Sequence, residues 1–222
     1  MGTTPIVAVA SSVGDMDAVS ELLAAFPDVC GAAFVVVQHH DAGREKILVR
    51  RLAAGKTFPV LPAHDGVVPE RDRVYVMAAG TTLTMEAGRI RVTPAAGALH
   101  QPGDILFTSL AEQCGDRAIG VVLSGTGSDG ARGVCAISQS GGIALAQYPG
   151  SARFPSMPIN AIETGCVRFV LRPNELAREL IRLSGYMRAT SPPRAAGMVA
   201  PRPADPNPQA VGHGGGSIGT LR

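Results

Sequence analysis

The stretch from Pro5 to Val19 is the part of the chain that most limits what it can fold into. Ile6 to Ala10 is an unbroken apolar run, short enough for a strand and apolar enough to be covered on both faces. It stops at Ser11, Ser12, Val13 and Gly14. Met16, Val19, Leu22, Leu23 and Phe26 then recur at roughly helical spacing, with Asp15 and Asp17 in the first turn, where carboxylates offset the helix dipole. The pattern is strand, tight turn, helix. A serine in such a turn can cap the helix. It can also stand as a nucleophile above the carboxyl end of a sheet, beside backbone N–H groups that hold a developing oxyanion. The turn alone leaves both readings open, and both serines.

Composition narrows the class. A chain of 222 residues can build one substantial core, and 45% hydrophobic against 17% charged residues suits a globular fold rather than disorder. Aromatics make up 4% and Trp is absent, so the core must rest on Val, Leu, Ile and Ala, as where helices cover parallel strands. A formal charge of +2 argues against nucleic acid or an anionic membrane as partner. No segment approaches the roughly 18 apolar residues of a membrane span, so no membrane insertion is expected. The first residues carry no basic segment and do not read as a secretory signal. Cys30, Cys114, Cys135 and Cys166 are far apart, with no Cys-x-x-Cys pair. That spacing argues against a zinc cage or a secreted disulfide framework and points to a reducing cytoplasm.

Along the chain, strand and helix patterns alternate. Ala32 to Gln38 reads as a second buried strand and ends on His39 and His40; Gly43 to Ala54 reads as a helix and Phe58 to Leu61 as a strand. Val74 to Ala78, Thr81 to Glu86 and Arg89 to Thr93 are rich in β-formers and separated by Ala-Gly pairs, which predicts an antiparallel excursion. A helix over Gly103 to Cys114 and a strand over Ala118 to Leu123 follow. Next come a glycine loop from Ser124 to Gly130, a helix through Gln139 and a strand over Gly142 to Gln147. A short helix near Ile159 to Thr164, a strand over Val167 to Leu171 and a helix from Pro173 to about Tyr186 complete the series. The alternation predicts an α/β fold, three-layered and doubly wound, with a mainly parallel sheet and a small antiparallel excursion. Residues 1–186 read as one domain, and 187–222, rich in Pro and Gly, as a disordered tail.

Polar groups gather at the carboxyl ends of three predicted strands: Ser11 and Ser12, His39 and His40, and Asp129. In an open α/β sheet that edge is where reactive groups sit. Serine, histidine and aspartate there suggest nucleophile, general base and orienting carboxylate. Each has a plainer reading: His39 can satisfy a strand end, and Asp129 can cap the helix that follows it. Gly125-Thr-Gly-Ser-Asp-Gly130 matches the G-x-G-x-x-G dinucleotide fingerprint, but the next strand ends in Gln147, Tyr148 and Pro149, without the acidic residue that fingerprint needs. His39, His40 and Asp41 are adjacent, so their side chains diverge, and no facial metal-ligand spacing is present. No cofactor and no metal are expected.

From about Pro5 to Tyr186 the chain resembles the catalytic domain of the chemotaxis protein-glutamate methylesterases. The resemblance rests on Val-Ala-Val-Ala-Ser-Ser-Val-Gly at the first turn, Val-Val-Val-Gln-His at the second strand, and Gly-Val-Val-Leu-Ser-Gly-Thr-Gly-Ser-Asp-Gly-Ala-Arg-Gly at the glycine loop. Asp104-Ile-Leu-Phe107, Ala146-Gln147 and Met157-Pro158 support it in the expected order. The resemblance implies Ser12 rather than Ser11 as nucleophile, His39 rather than His40 as base, Asp129 as acid, and backbone N–H groups near Val13 and Thr126 as the oxyanion site. It also implies hydrolysis of glutamyl methyl esters on chemoreceptors, often glutamine deamidation as well, and a kinase signalling array as a further partner. Three positions depart from the family pattern. Val13 replaces a threonine, Asp15 brings a carboxylate near the site, and Thr126 stands for a methionine. No receiver domain is expected ahead of the catalytic one, and so no control by that route in cis. A weakly or non-catalytic signalling module of the same fold, binding a receptor or kinase partner, is the alternative these departures leave open.

Overall fold

A computed structural model describes residues 4–12, 16–27, 29–38, 45–56, 58–96 and 101–190. The chain divides into two units, Met1–Ser191 and Pro192–Arg222, and the second lies outside the described residues.

The first unit is built on a sheet of seven strands, all parallel, in the order β3-β4-β2-β1-β7-β8-β9. These are β1 (Ile6–Ser11), β2 (Ala33–Gln38), β3 (Val60–Pro62), β4 (Arg73–Val76), β7 (Ala118–Val122), β8 (Ile143–Gln147) and β9 (Phe169–Leu171). On one face lie α1 (Met16–Ala24), α2 (Glu45–Ala53) and α6 (Pro173–Thr190). On the other lie α3 (Pro102–Cys114), α4 (Ala131–Gln139), α5 (Ser156–Glu163) and an antiparallel hairpin of β5 (Thr81–Glu86) and β6 (Arg89–Pro94). The three-layer, doubly wound arrangement agrees with the sequence expectation.

Residue size within β1 explains the packing. Successive side chains point to opposite faces. Val7 and Val9 fill the α1–α6 side, while Ala8 and Ala10 face α3. Gly120 of β7 continues that small surface: a Cβ there would lie 2.5 Å from Ile137 Cδ1 and 3.4 Å from the Phe107 ring. Gly133 of α4 is crowded in the same way, 2.5 Å from Phe107 Cβ. Phe107, fully buried, is thus a wedge seated in space left by absent side chains. Small residues let α3 and α4 come down close to β1 and β7, which brings their N-termini to the rim.

Two boundaries differ from the sequence reading. Val74 to Ala78 was expected in the antiparallel excursion, yet β4 lies between β2 and β3 in the parallel sheet. Its Val74, Tyr75 and Val76 are all buried, the signature of a strand covered on both faces rather than one exposed to solvent. Among the described residues, only β5 and β6 form the excursion. The last helix also runs on to Thr190, because Met187 extends the buried stripe of Leu176, Leu180 and Leu183 by one more turn.

Cys135 of α4 and Cys166, just beyond α5, form a disulfide that the wide cysteine spacing gave no reason to expect. Cys30 is buried and Cys114 partly so, and both are free thiols. Burial pushes the Cys30 thiol up to about 11 and raises that of Cys114. Thiol titration of the denatured, unreduced protein is expected to find these two groups, and all four after reduction. The bond spans 31 residues. By the loop-entropy relation, its reduction should cost about 3–4 kcal/mol, read as a fall in the urea midpoint. Four reactive thiols before reduction would rule the bond out.

Candidate active site

β1 is the point where the winding reverses: α1 covers one face, while α4, which follows the neighbouring β7, covers the other. Such a switch point leaves a crevice at the carboxyl ends of the two strands. Ser12 follows β1 directly into it, and its backbone is tied on both sides. Its N–H donates to the Ser124 carbonyl at 3.3 Å, continuing the β1–β7 ladder. Its carbonyl accepts from Gln38 Nε2 at 3.0 Å, from the end of β2.

The β7 side is itself braced. The Ser124 N–H donates to Gln147 Oε1 at 2.8 Å, and the Phe154 N–H donates to Ser124 Oγ at 2.9 Å. The Gly125 N–H donates to the Phe154 carbonyl at 2.8 Å. A Cβ on Gly125 would lie 2.8 Å from Ser12 Cβ and run into the Met157 sulfur, so only glycine leaves room for Ser12. Ser12 is half-buried. Ser11 is 2% exposed, pairs with Gln38 on the opposite face, and its hydroxyl finds no partner among the described residues. Of the two serines, only Ser12 opens onto the crevice.

Asp129 lies in the loop between β7 and α4, 8% exposed. Its Oδ2 accepts the Gly103 N–H and its Oδ1 the Asp104 N–H, both at 2.9 Å. The carboxylate therefore completes the N-terminus of α3, where unpaired N–H groups and the helix dipole favour negative charge. It does not cap α4, the helix after it, as the plainer reading would have it: Gly130 is the N-cap there, with no side-chain bond. A Cβ on Gly103 would lie 3.0 Å from Asp129 Oδ1 and 2.9 Å from Ala10 Cβ. Asp129 is thus seated beside Ala10, two residues before Ser12 on the same side of β1.

His39, His40, Asp41, Val13 and Asp15 lie outside the described residues. Gln38, the residue before His39, is paired with Ser11, the residue before Ser12. Thr126 is exposed, and the neighbouring Gly127 carbonyl accepts from Asn160 Nδ2 at 2.9 Å, which ties the loop to α5. The glycines of the G-x-G-x-x-G match each have a local reason. Gly125 avoids Ser12, and Gly127 and Gly130 take φ of +88° and +90°. Among the described residues, no three His, Cys, Asp or Glu side chains are placed to hold a metal.

Residue-by-residue reading missed Gln38, Gly103 and Asn160 as supports, and it took Asp104 only as part of a supporting stretch. A carboxylate at the start of an amphipathic helix is a common surface feature. Only its burial, which the sequence does not display, sets Asp104 apart.

The family model for CheB methylesterase matches residues 7–180, the whole span from β1 into α6. The chain belongs to the CheB methylesterase family. It is 33% identical over 196 residues to protein-glutamate methylesterase/protein-glutamine glutaminase 1 of Caulobacter vibrioides, covering 85% of this chain and 56% of that one. It is likewise 33% identical over 192 residues to the similarly named protein 3 of Geobacter sulfurreducens, covering 84% of this chain and 52% of that one. The chain thus spans about half the length of these curated relatives. Among solved structures, the catalytic domain of the Thermotoga maritima CheB methylesterase matches with a TM-score of 0.76 at 27% identity, covering 81% of this chain and 98% of that domain.

Gly103→Ala tests the seating of Asp129 within this CheB fold. The added methyl has no room between Ala10 and the carboxylate, and overpacking of this kind costs about 1–3 kcal/mol. A urea midpoint lowered to match is expected; an unchanged midpoint would show that α3 can move away freely.

Proposed function

We propose that this chain is a protein-glutamate methylesterase with Ser12 as nucleophile, His39 as general base and Asp129 as the carboxylate that orients it. The reading is carried by one observation above the others: Ser12 and the α3-bound carboxylate of Asp129 share one side of β1 at its carboxyl end. Family membership and the named activities of the half-matching relatives support it.

Ser12 Oγ would attack the ester carbonyl of a methylated glutamate as His39 takes its proton. The tetrahedral oxyanion would be held by backbone N–H groups near Val13 and Thr126, each donor contributing about 3 kcal/mol. The exposed Thr126 N–H, which makes no bond within the described residues, suits that role. Collapse releases methanol, protonated by His39, and leaves a glutamyl ester of Ser12. Water, deprotonated by His39, then attacks that ester, and Ser12 regains its proton as free glutamate leaves. With a glutamine side chain the same steps release ammonia, which makes deamidation a second outcome of one site. The substrate in this reading is a methylated chemoreceptor, within signalling that includes a kinase array.

We place the reaction in the cytoplasm, on the kinase-linked signalling that the family resemblance implies. Reducing thiols there would open the Cys135–Cys166 bond. Alkylation of acid-quenched cells is expected to find both as thiols, and a bonded pair would move the domain to an oxidising compartment.

Ser12→Ala should lower methanol release from methylated receptor membranes by a factor on the order of 10⁶, while Ser11→Ala, buried and facing the other layer, should retain it. A serine-directed organophosphonate should label Ser12. Wild-type turnover in the Ser12 variant would dispose of the mechanism.

A further inference from the structure

Asp104 is 4% exposed, yet it sits in the first turn of α3, where a carboxylate would ordinarily face water. Its Oδ1 accepts the Gly133 N–H of α4 at 2.8 Å, and its Oδ2 accepts Arg132 Nε at 3.1 Å. Arg132 Nη2 also donates to Gln101 Oε1 at 2.6 Å, just before α3. Asp104's own N–H donates to Asp129 Oδ1. These contacts close a ring. From Asp129 the chain runs four residues to Gly133; the Gly133 N–H binds the Asp104 side chain; and the Asp104 backbone N–H binds Asp129 again. The ring is short because Gly133 carries no Cβ: one placed there would lie 3.2 Å from Asp104 Cα.

We propose that Asp104 is a positioning residue for the reaction, fixing the Asp129 carboxylate through the Gly133 N–H so that it presents one geometry to the base. The proposal rests on the reading of Asp129 as the catalytic acid. Two bonds to α3 hold the carboxylate from one side, and the Gly133–Asp104 bond ties the start of α4, the chain that follows Asp129, to the same helix. The Arg132 contact is secondary, since its side chain is 79% exposed and water competes for the pair. What matters at residue 104 is an oxygen in the right place, more than a charge.

That distinction sets the test, made on the full chain by methanol release from methylated receptor membranes. Asp104→Asn keeps an oxygen for the Gly133 N–H and should hold kcat within about threefold of wild type. Asp104→Glu keeps the charge but moves it outward by one methylene, and a misplacement of that size should lower kcat by about 10²-fold with KM unchanged. Asp104→Ala should fall at least as far. In the Glu and Ala variants the acid limb of the kcat/KM profile should move to lower pH, because a looser carboxylate stabilises the imidazolium less. Should Asp104→Ala fail to fold, the ranking of Asn over Glu still decides.

The reverse ranking, Glu active and Asn impaired, would overturn the proposal in favour of the Arg132 ion pair. So would lowered unfolding midpoints with wild-type kcat and pH profile throughout, the mark of a purely structural role. Asp129→Asn, run alongside, should lose about 10⁴-fold. Wild-type turnover there would overturn the acid assignment and the positioning role with it. Loss there beside wild-type turnover in Asp104→Glu would overturn the positioning role alone.

Discussion

Two helices that start side by side, α3 and α4, exchange carboxylates at their N-termini, and the rim of the molecule is organised by that exchange. Each helix begins with N–H groups that have no partner within its own coil. Asp129, from the α4 side, supplies α3; Asp104, from α3, supplies α4. Hydrogen bonds to a charged acceptor contribute about 1.5–3 kcal/mol each, so three of them outweigh ordinary surface contacts. Buried carboxylates are tolerated only when matched by donors in this way. The exchange needs the helices in near contact, and that follows from the missing side chains of Gly120 and Gly133 beside Phe107 and of Gly103 beside Ala10.

The same closeness links the core to the chemistry. Valines on one side of β1 and alanines on the other make the strand lopsided, and the lean side is where α3 descends. Ala10 admits Gly103, Gly103 admits the Asp129 carboxylate, and Ser12 emerges one pleat further on. A bulkier residue anywhere along that line would lift the helix and take its N–H groups away from Asp129. Ser12 itself is set by backbone bonds to both neighbouring strands. The position of the hydroxyl therefore depends on the sheet rather than on the loop that follows it.

What could be read from the sequence follows from what periodicity and chain order encode. Buried parallel strands announce themselves as apolar runs, and those expected over Ile6 to Ala10, Ala32 to Gln38 and Ala118 to Leu123 all took the expected place in the parallel sheet, as β1, β2 and β7. Val74 to Val76 did not, because β-forming residues beside a hairpin look the same whether they join the hairpin or leave it. Only burial on both faces separates the cases. The end of α6 lies beyond Tyr186 because Gly185 is carried inside the helix and the apolar stripe continues past it to Met187. The Cys135–Cys166 pair is invisible at a separation of 31 residues, since closure depends on how α4 and α5 pack. The places of Ser12, just after β1, and of Asp129, in the loop after β7, were legible because strand ends are; His39 and Val13 lie outside the described residues. Asp104 was not singled out, because its partner is a backbone N–H on another helix, and backbone groups leave no mark in residue identity.

The glycine loop illustrates how one string can carry two physical meanings. A G-x-G-x-x-G segment between strand and helix suits a pyrophosphate when its glycines clear space for the ligand and the helix N-terminus faces it. Here the glycines clear space for protein. Gly125 makes room for Ser12, Gly127 and Gly130 turn the chain through positive φ, and the N-terminal Gly133 N–H already holds Asp104. With that donor bound to a carboxylate of the protein's own, an incoming phosphate would have to displace a bond made inside a buried ring. The loop is shaped to deliver Asp129 to α3, and its glycines are accounted for by that task before any ligand is invoked.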